Sequence, residues 1–233
     1  MLKIENTQVV GWEAAIRGMR NPMNSWEKSD SVYGTYWGDI DGHKCFDSEG
    51  FSIGQNDHDL MKRLREAGTD HRKFMRMITV YADIIAPLYW WKEFDTYKVG
   101  TVANSCSTMH KIHEKEFTME DFSTEHLLDE PFPVTDEYVE TYIDCMTDVI
   151  KALNCARRMF LETKGKKYWW QMIQLLPSSY NQKRTVMLNY EVLANIYKSR
   201  KNHKLDEWHT FCDWIKTLPY NEFITGEFDE SNT

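Results

Sequence analysis

The sequence predicts an α/β fold of the α+β type, with a central sheet flanked by helices and a long helical C-terminal half. Short β-branched runs occur at residues 2–10 and at Met77–Ile85, whereas apolar residues at helical spacing dominate from residue 136 onward. The 233 residues, 42% of them apolar, suffice for one substantial domain. We expect a single domain over residues 1–226, because nothing resembles a flexible linker, and an acidic, disordered tail over residues 227–233.

The first part of the chain predicts alternating short elements. Gly68 is a natural C-terminal stop for a helix, and Pro87 ends the apolar run before it. Asn, Ser, Asp and Gly are frequent in residues 21–50, a composition typical of loops. The predicted elements are a strand at 2–10, a helix beginning at 11–20, a long surface loop at 21–50, a helix at 55–68 and a strand at Met77–Ile85.

The remainder predicts helices separated by polar segments. The clearest amphipathic pattern covers residues 136–162, where apolar residues recur every three or four positions. The predicted elements are a helix at 88–98, a loop at 99–107, an exposed acidic segment at 114–135, and helices at 136–162, 166–176, 186–200 and 205–217.

Composition excludes several classes of function. The formal charge of −8 argues against nucleic-acid binding, which needs clustered Lys and Arg. No apolar run is long enough to span a membrane, and the N-terminus does not resemble a signal peptide. Five scattered cysteines without a CxxC motif indicate reduced thiols, and we therefore expect a cytoplasmic protein.

Local motifs give little catalytic chemistry. The chain has no GxSxG, P-loop or GxGxxG motif. His110 and His113 could share a helical face, but no third metal ligand follows at a recognisable spacing, so we expect no metal site. Cys106 has no base placed by the sequence, and we predict no catalytic residue.

Several runs, in the order in which they occur, resemble the flavin-dependent thymidylate synthases (the ThyX family). Those enzymes carry a Leu-x-x-x-Gly-His turn, an Ala-Pro before the signature helix, and a C-terminal Leu-Pro followed by Asn-x-Arg-x-Leu-x-Asn-Phe and a further Arg. The corresponding runs here are Leu64 to Gly68 with His71, Ala86-Pro87, Leu176-Pro177, and Asn189 to Ile196 with Arg200. The resemblance covers roughly residues 1–218. It implies a ThyX-like fold and a homotetramer with ligand sites between subunits.

The family's phosphate-binding arginines are largely replaced. With Ala86-Pro87 as the anchor, the signature Arg-His-Arg falls on Thr96-Tyr97-Lys98 and its last Arg falls on Thr108. The Arg before Leu-Pro falls on Ile173, and the Arg of Asn-x-Arg falls on Glu191. Thr and Ile carry no charge, and Lys lacks the bidentate fork of Arg. We therefore expect weak binding of a dianionic nucleotide, unless cations such as Lys92, Arg72 or Lys73 compensate.

The resemblance and these replacements together predict a protein that binds a nucleotide or nucleotide derivative without synthesising thymidylate. A specific version is a phage-type protein that sequesters a nucleotide signal, and this version rests on analogy. One alternative is a diverged but active FAD-dependent synthase that converts dUMP to dTMP; FAD is implied by the resemblance alone. A second alternative is a protein-binding module that exposes Trp90 and Trp91. The predicted ligand-binding residues are His71, Lys98, Thr101, Asn104, Ser105, Ser107, Asn189, Asn195 and Arg200.

Overall fold

The computed structural model describes residues 2–40 and 43–228, so most of the predicted tail, residues 229–233, lies outside it. The strands are β1 (Lys3–Val10), β2 (Val32–Ile40), β3 (His43–Ser52), β4 (Thr79–Pro87), β5 (Val102–Ser105), β6 (Phe132–Thr135), β7 (Tyr138–Glu140) and β8 (Asn181–Asn189). The helices are α1 (Trp12–Arg20), α2 (Gln55–Glu66), α3 (Leu88–Phe94), α4 (Tyr142–Thr163), α5 (Lys166–Leu175), α6 (Tyr190–Arg200), α7 (Asp206–Lys216) and α8 (Glu222–Thr225). The predicted mixture of one main sheet with many helices is confirmed.

The main sheet has the strand order β1-β4-β8-β5. β4 is an inner strand, and its alternate residues Val80, Ala82, Ile84 and Ala86 are buried, as a strand packed on one face requires. β5 lies at the edge, and its residues are all exposed. β2 pairs with β3, and β6 with β7, as separate antiparallel ladders.

The chain forms two compact units. The first contains residues up to Glu5, residues 83–96 and residues 103–186. Its helices α4 and α5 enclose an apolar cluster that includes Phe117, Phe122 and Leu153. The second contains residues 6–82, 97–102 and those from 187 onward. In it the ring of Trp12 meets the ring of Tyr190 edge-on at 5.2 Å. The expectation of one domain over residues 1–226 stays a prediction.

The predicted long loop at residues 21–50 is wrong. Two short 3-10 turns, Asn21–Met23 and Trp26–Lys28, lead into the β2–β3 hairpin. Composition misled the prediction because aromatic residues of high β propensity, such as Tyr36 and Phe46, occur among the polar residues of this hairpin.

Two further predictions of element type are corrected. Residues 99–107 contain strand β5, and the predicted helix at 186–200 begins as strand β8 and becomes α6 only at Tyr190. Buried Val186 and Leu188 show the period of two of a strand, which is too short to distinguish from a helix by sequence. The predicted helix at 88–98 ends earlier, at Phe94.

The segment before α4 also differs from its prediction. Helix α4 begins at Tyr142 and not at residue 136, because the Thr141 hydroxyl accepts a hydrogen bond from the Asp144 amide at 3.0 Å and caps the helix. Residues 138–140 form β7 instead. The segment 114–135 is acidic and largely exposed, but Phe117 and Phe122 within it are buried in the apolar cluster.

The last described residues are held by side-chain contacts. The Tyr197 hydroxyl donates to Glu227 Oε1 at 3.1 Å, and the Lys62 ammonium lies 4.8 Å from the centre of the Phe228 ring. These contacts connect the start of the predicted tail to helices α6 and α2.

Candidate functional site

Helix α6 positions three of the predicted ligand residues, and its N-terminus is the best-defined part of the candidate site. Asn189 is the N-cap, and its Oδ1 accepts from the Val192 amide at 3.0 Å. Gly100, with φ of +78°, lies beside this cap: a Cβ there would be 2.7 Å from Asn189 Nδ2. The close approach therefore requires glycine, and Asn189 acts first as a structural cap.

Glu191, at the position where the family has an arginine, is buried and ion-paired. Arg72 Nε donates to its Oε1 at 3.2 Å, and Arg76 donates to it through Nε and, at 3.4 Å, through Nη2. Both arginines come from a 3-10 turn at Arg72–Arg76. Burial raises the pKa of the Glu191 carboxyl, but the two guanidinium groups outweigh it and hold the pKa below the ordinary value.

Asn195 lies one helical turn after Glu191 and contacts the same arginine. Arg72 Nη2 donates to Asn195 Oδ1 at 3.5 Å, and the Asn195 side chain is otherwise exposed. Residues four apart lie on one helix face, so Glu191, Asn195 and Arg72 form one polar surface. From the sequence, Arg72 is expected only as a compensating cation, and no local pattern identifies Arg76.

Arg200 lies at the other end of α6. Its Nε donates to the Tyr97 hydroxyl at 2.9 Å, and its guanidinium lies 4.8 Å from the Trp208 ring centre. Eleven residues separate Arg200 from Asn189, a rise of about 16 Å along the helix. The helix thus places Arg200 and the Asn189 cap at opposite ends of an extended surface.

The remaining predicted residues fall into two groups. In the second unit, His71 and Lys98 are exposed, and the half-buried Thr101 donates its hydroxyl to the Tyr97 carbonyl. In the first unit, Asn104 and Ser105 belong to exposed β5, and Ser107 Oγ accepts from the amides of Met109 and His110 at 3.2 and 2.9 Å. Six of the nine predicted residues thus belong to the unit that contains Glu191.

The structure also bears on the aromatic-surface alternative, on metal binding and on membrane-spanning helices. The aromatic-surface alternative requires Trp90 and Trp91 to be exposed. Both are buried, so that prediction is wrong. Among residues 2–40 and 43–228, no group of three His, Cys, Asp or Glu side chains could hold a metal ion. The same residues include no helix that is both long and apolar enough to cross a bilayer.

Comparison of the sequence with protein-family profiles and with curated proteins gave no match. The structure, however, resembles that of the flavin-dependent thymidylate synthase ThyX from Helicobacter pylori complexed with FAD and dUMP. The TM-score is 0.64 at 15% identity, and the match covers 97% of this chain and 100% of that chain. The UMP/dUMP methylase PolB from Streptomyces cacaoi, bound with 5-Br dUMP, matches with a TM-score of 0.58 at 14% identity over 97% and 94% of the two chains. The chain therefore has a ThyX-like fold, as its sequence motifs predicted.

Proposed function

We propose that this protein binds a nucleotide-derived ligand and does not synthesise thymidylate. The ligand would bind the polar surface formed by Glu191, Asn195 and Arg72, which we call the α6 surface. The observation that carries the proposal is the buried carboxylate of Glu191, ion-paired with Arg72 and Arg76, at the position where the resemblance predicts a phosphate-binding arginine. The cations of this surface come from the 3-10 turn instead of from the helix.

The charges of this cluster favour a ligand with one negative charge. Two guanidinium groups and one carboxylate sum to a single positive charge. A phosphodiester carries one negative charge, whereas a nucleoside monophosphate carries nearly two at neutral pH. A cyclic nucleotide or another phosphodiester would therefore be balanced by this surface, while dUMP would leave about one charge unmatched.

The neighbouring Asn195 adds a hydrogen-bond donor without adding charge. Because Asn195 Oδ1 already accepts from Arg72, its amide nitrogen remains to donate to a ligand. Exposed His71 and the exposed cation Lys98 belong to the same unit and offer further donors.

The residues at the positions of the family's arginines do not fit the pyrophosphate of FAD. Ile173 packs against the apolar cluster of the first unit, where it can contact no phosphate. Glu191 brings a negative charge to a position that needs a positive one, and the Arg200 guanidinium already contacts Tyr97 and Trp208. These replacements argue against the alternative of an active FAD-dependent synthase.

We also propose an oligomeric state and a mode of action for this protein. The protein forms a homotetramer, as expected for a ThyX-like fold. Light scattering, which measures the mass of the particle in solution, tests this. Binding without turnover lowers the concentration of unbound ligand, so the protein acts by sequestration, in the manner of phage proteins that capture a nucleotide signal.

Isothermal titration with three probes tests the ligand class: 3′,5′-cyclic UMP, dUMP and deoxyuridine. We expect the cyclic nucleotide to bind most tightly. Replacement Arg72→Ala should weaken it by roughly tenfold or more, because a hydrogen bond to a charged group contributes about 1.5–3 kcal/mol. Arg17→Ala is the matched control, because Arg17 is an exposed cation of α1 paired with Glu13.

Two results would contradict the proposal. If dUMP binds most tightly of the three probes, the surface prefers a dianion over a monoanion. Purified protein with the visible absorbance of a flavin would favour the synthase alternative.

A further inference from the structure

Charge is strongly segregated along one part of the chain. Between Lys115 and Lys151 there are eleven Asp or Glu residues and no Lys or Arg. The following segment, from Lys151 to Lys167, has six Lys or Arg residues and a single acidic residue, Glu162. Both segments belong to the first compact unit.

The acidic segment presents exposed apolar side chains, and we call residues 125–142 the acidic knob. It consists of a loop, the β6–β7 hairpin and the first residue of α4, Tyr142, whose ring lies 4.6 Å from the ring of Phe132. Nearby Glu140 raises the pKa of the Tyr138 hydroxyl, in agreement with the negative potential of this surface. Its exposed large apolar residues are Leu127, Leu128, Val134, Tyr138, Val139 and Tyr142.

Exposed apolar residues surrounded by charges of one sign are typical of an interaction surface. Leu128 and Val139 are 54% and 59% exposed, so much of their apolar surface contacts water. The acidic residues around them favour a partner that is basic and partly apolar.

A surface of that chemistry lies on helix α4, and we call it the basic groove. It is a cavity of about 650 Å³ whose lining includes the apolar Ile150 and Leu161 and the cationic Lys151, Arg157 and Arg158. Arg157 donates to the carbonyls of His113 and Glu114 at 2.9 and 3.3 Å, which fixes its guanidinium.

The charge of the groove is positive on balance. Glu116 and Glu162 also line it, so its three lining cations exceed its lining carboxylates by one, and Lys151 pairs in addition with exposed Asp148 at 2.8 Å. Exposed Lys164, Lys166 and Lys167 follow directly in the sequence and extend the positive surface. The groove therefore offers both the apolar contacts and the charge that the acidic knob requires.

We propose that the acidic knob of one copy of this chain docks into the basic groove of a second copy. The knob and the groove are different surfaces, so the contact is heterologous and leaves one knob and one groove available for further copies. Because the attraction is between exposed charges, it weakens as salt shortens the screening length from about 10 Å at 0.1 M to about 3 Å at 1 M.

Sedimentation velocity at several protein concentrations tests this association. At low salt we expect wild-type protein to form a larger, concentration-dependent species that disappears at about 1 M NaCl, where screening is nearly complete. A knob variant (Leu128→Ser with Val139→Ser) and a groove variant (Lys151→Glu with Arg158→Glu) should each keep the high-salt mass at low salt. Arg17→Glu, which changes an exposed cation of α1, is the control and should associate as wild type does.

Mixing the two variants gives the decisive result. The knob variant retains an intact groove and the groove variant an intact knob, so the mixture should recover an associated species that neither forms alone. A wild-type mass independent of salt and concentration would overturn the proposal, and so would a mixture that stays at the mass of its components. Circular dichroism of both variants confirms that they are folded, and neither alters the α6 residues on which nucleotide binding is proposed to depend.

Discussion

Replacement Glu191→Gln tests whether this carboxylate anchors the α6 surface. The change preserves side-chain size but removes the negative charge that faces Arg72 and Arg76. Breaking a buried ion pair costs about 3–5 kcal/mol. The free-energy cost is expected to be smaller here, because the Arg76 side chain is 48% exposed and solvent screens its interaction with Glu191.

We therefore expect a loss of about 2–3 kcal/mol in the free energy of unfolding, within the range for one or two hydrogen bonds to charged groups. For a chain of this length that loss lowers Tm by roughly 5–10 °C. Differential scanning fluorimetry at neutral pH measures the shift, and urea unfolding gives the free energy. Glu13→Gln is the control: its exposed pair with Arg17 should contribute less than about 1 kcal/mol.

The effect should also depend on pH. Because the pKa of folded Glu191 lies below its ordinary value of 4.5, the stabilisation is fully present above that value and is lost as the pH falls through the folded pKa. The difference in Tm between wild type and Glu191→Gln should thus be constant above about pH 6 and shrink below pH 4.5. A shift no larger than that of the control, or one that persists unchanged in acid, would refute the role of the charge.

Substitutions at Gly100, Asn189 and Arg200 test the local geometry around α6 by urea unfolding. Gly100→Ala should destabilise the protein by about 1–2 kcal/mol more than Gly68→Ala, since both glycines have positive φ but only at Gly100 would the added Cβ meet another residue within 4 Å; equal losses would contradict the close contact. Asn189→Ala should cost about 1 kcal/mol through the lost cap, whereas Asn189→Asp should retain most of it; an equal effect of both would exclude a capping role. Arg200→Ala should cost about 1–2 kcal/mol, because the guanidinium contacts Trp208 and Tyr97; unchanged stability would instead reserve Arg200 for ligand binding.

The elements predicted correctly from the sequence are those with strong local signals. Helix α2 has apolar residues at helical spacing and a glycine stop at Gly68, and strand β4 has a β-branched run ended by Pro87. Strand β8 was missed because it runs directly into α6 with only the Asn189 cap to mark the change. Its type depends on pairing with neighbouring strands, which no local pattern specifies.

The candidate site was also predicted only in part, because contacts between distant residues leave no local pattern in the sequence. The sequence predicts Asn189, Asn195 and Arg200 on a single helix, and in the structure α6 carries Asn195 and Arg200, with Asn189 as its N-cap. The ion pair between Arg72 and Glu191 joins residues 119 apart in the sequence, so only the fold could reveal it. The one usable signal was the unexpected acidic residue at position 191, which implies a cation nearby if it is buried.

The position of Glu191 explains how the surface remains stable without a ligand. It is the second residue of α6, in the first turn after the Asn189 cap, where the helix dipole favours a negative side chain. An arginine at this position is opposed by the same dipole and needs a bound anion to offset it. With Glu191 the balance is reversed: the helix dipole favours the carboxylate, and Arg72 and Arg76 supply the positive charge from a different element. This arrangement holds Arg72 and Arg76 in place when no ligand is bound, and on the proposed function we expect it to lower the affinity for a dianion. That trade agrees with reversible binding of a weakly charged ligand better than with tight binding of dUMP during catalysis.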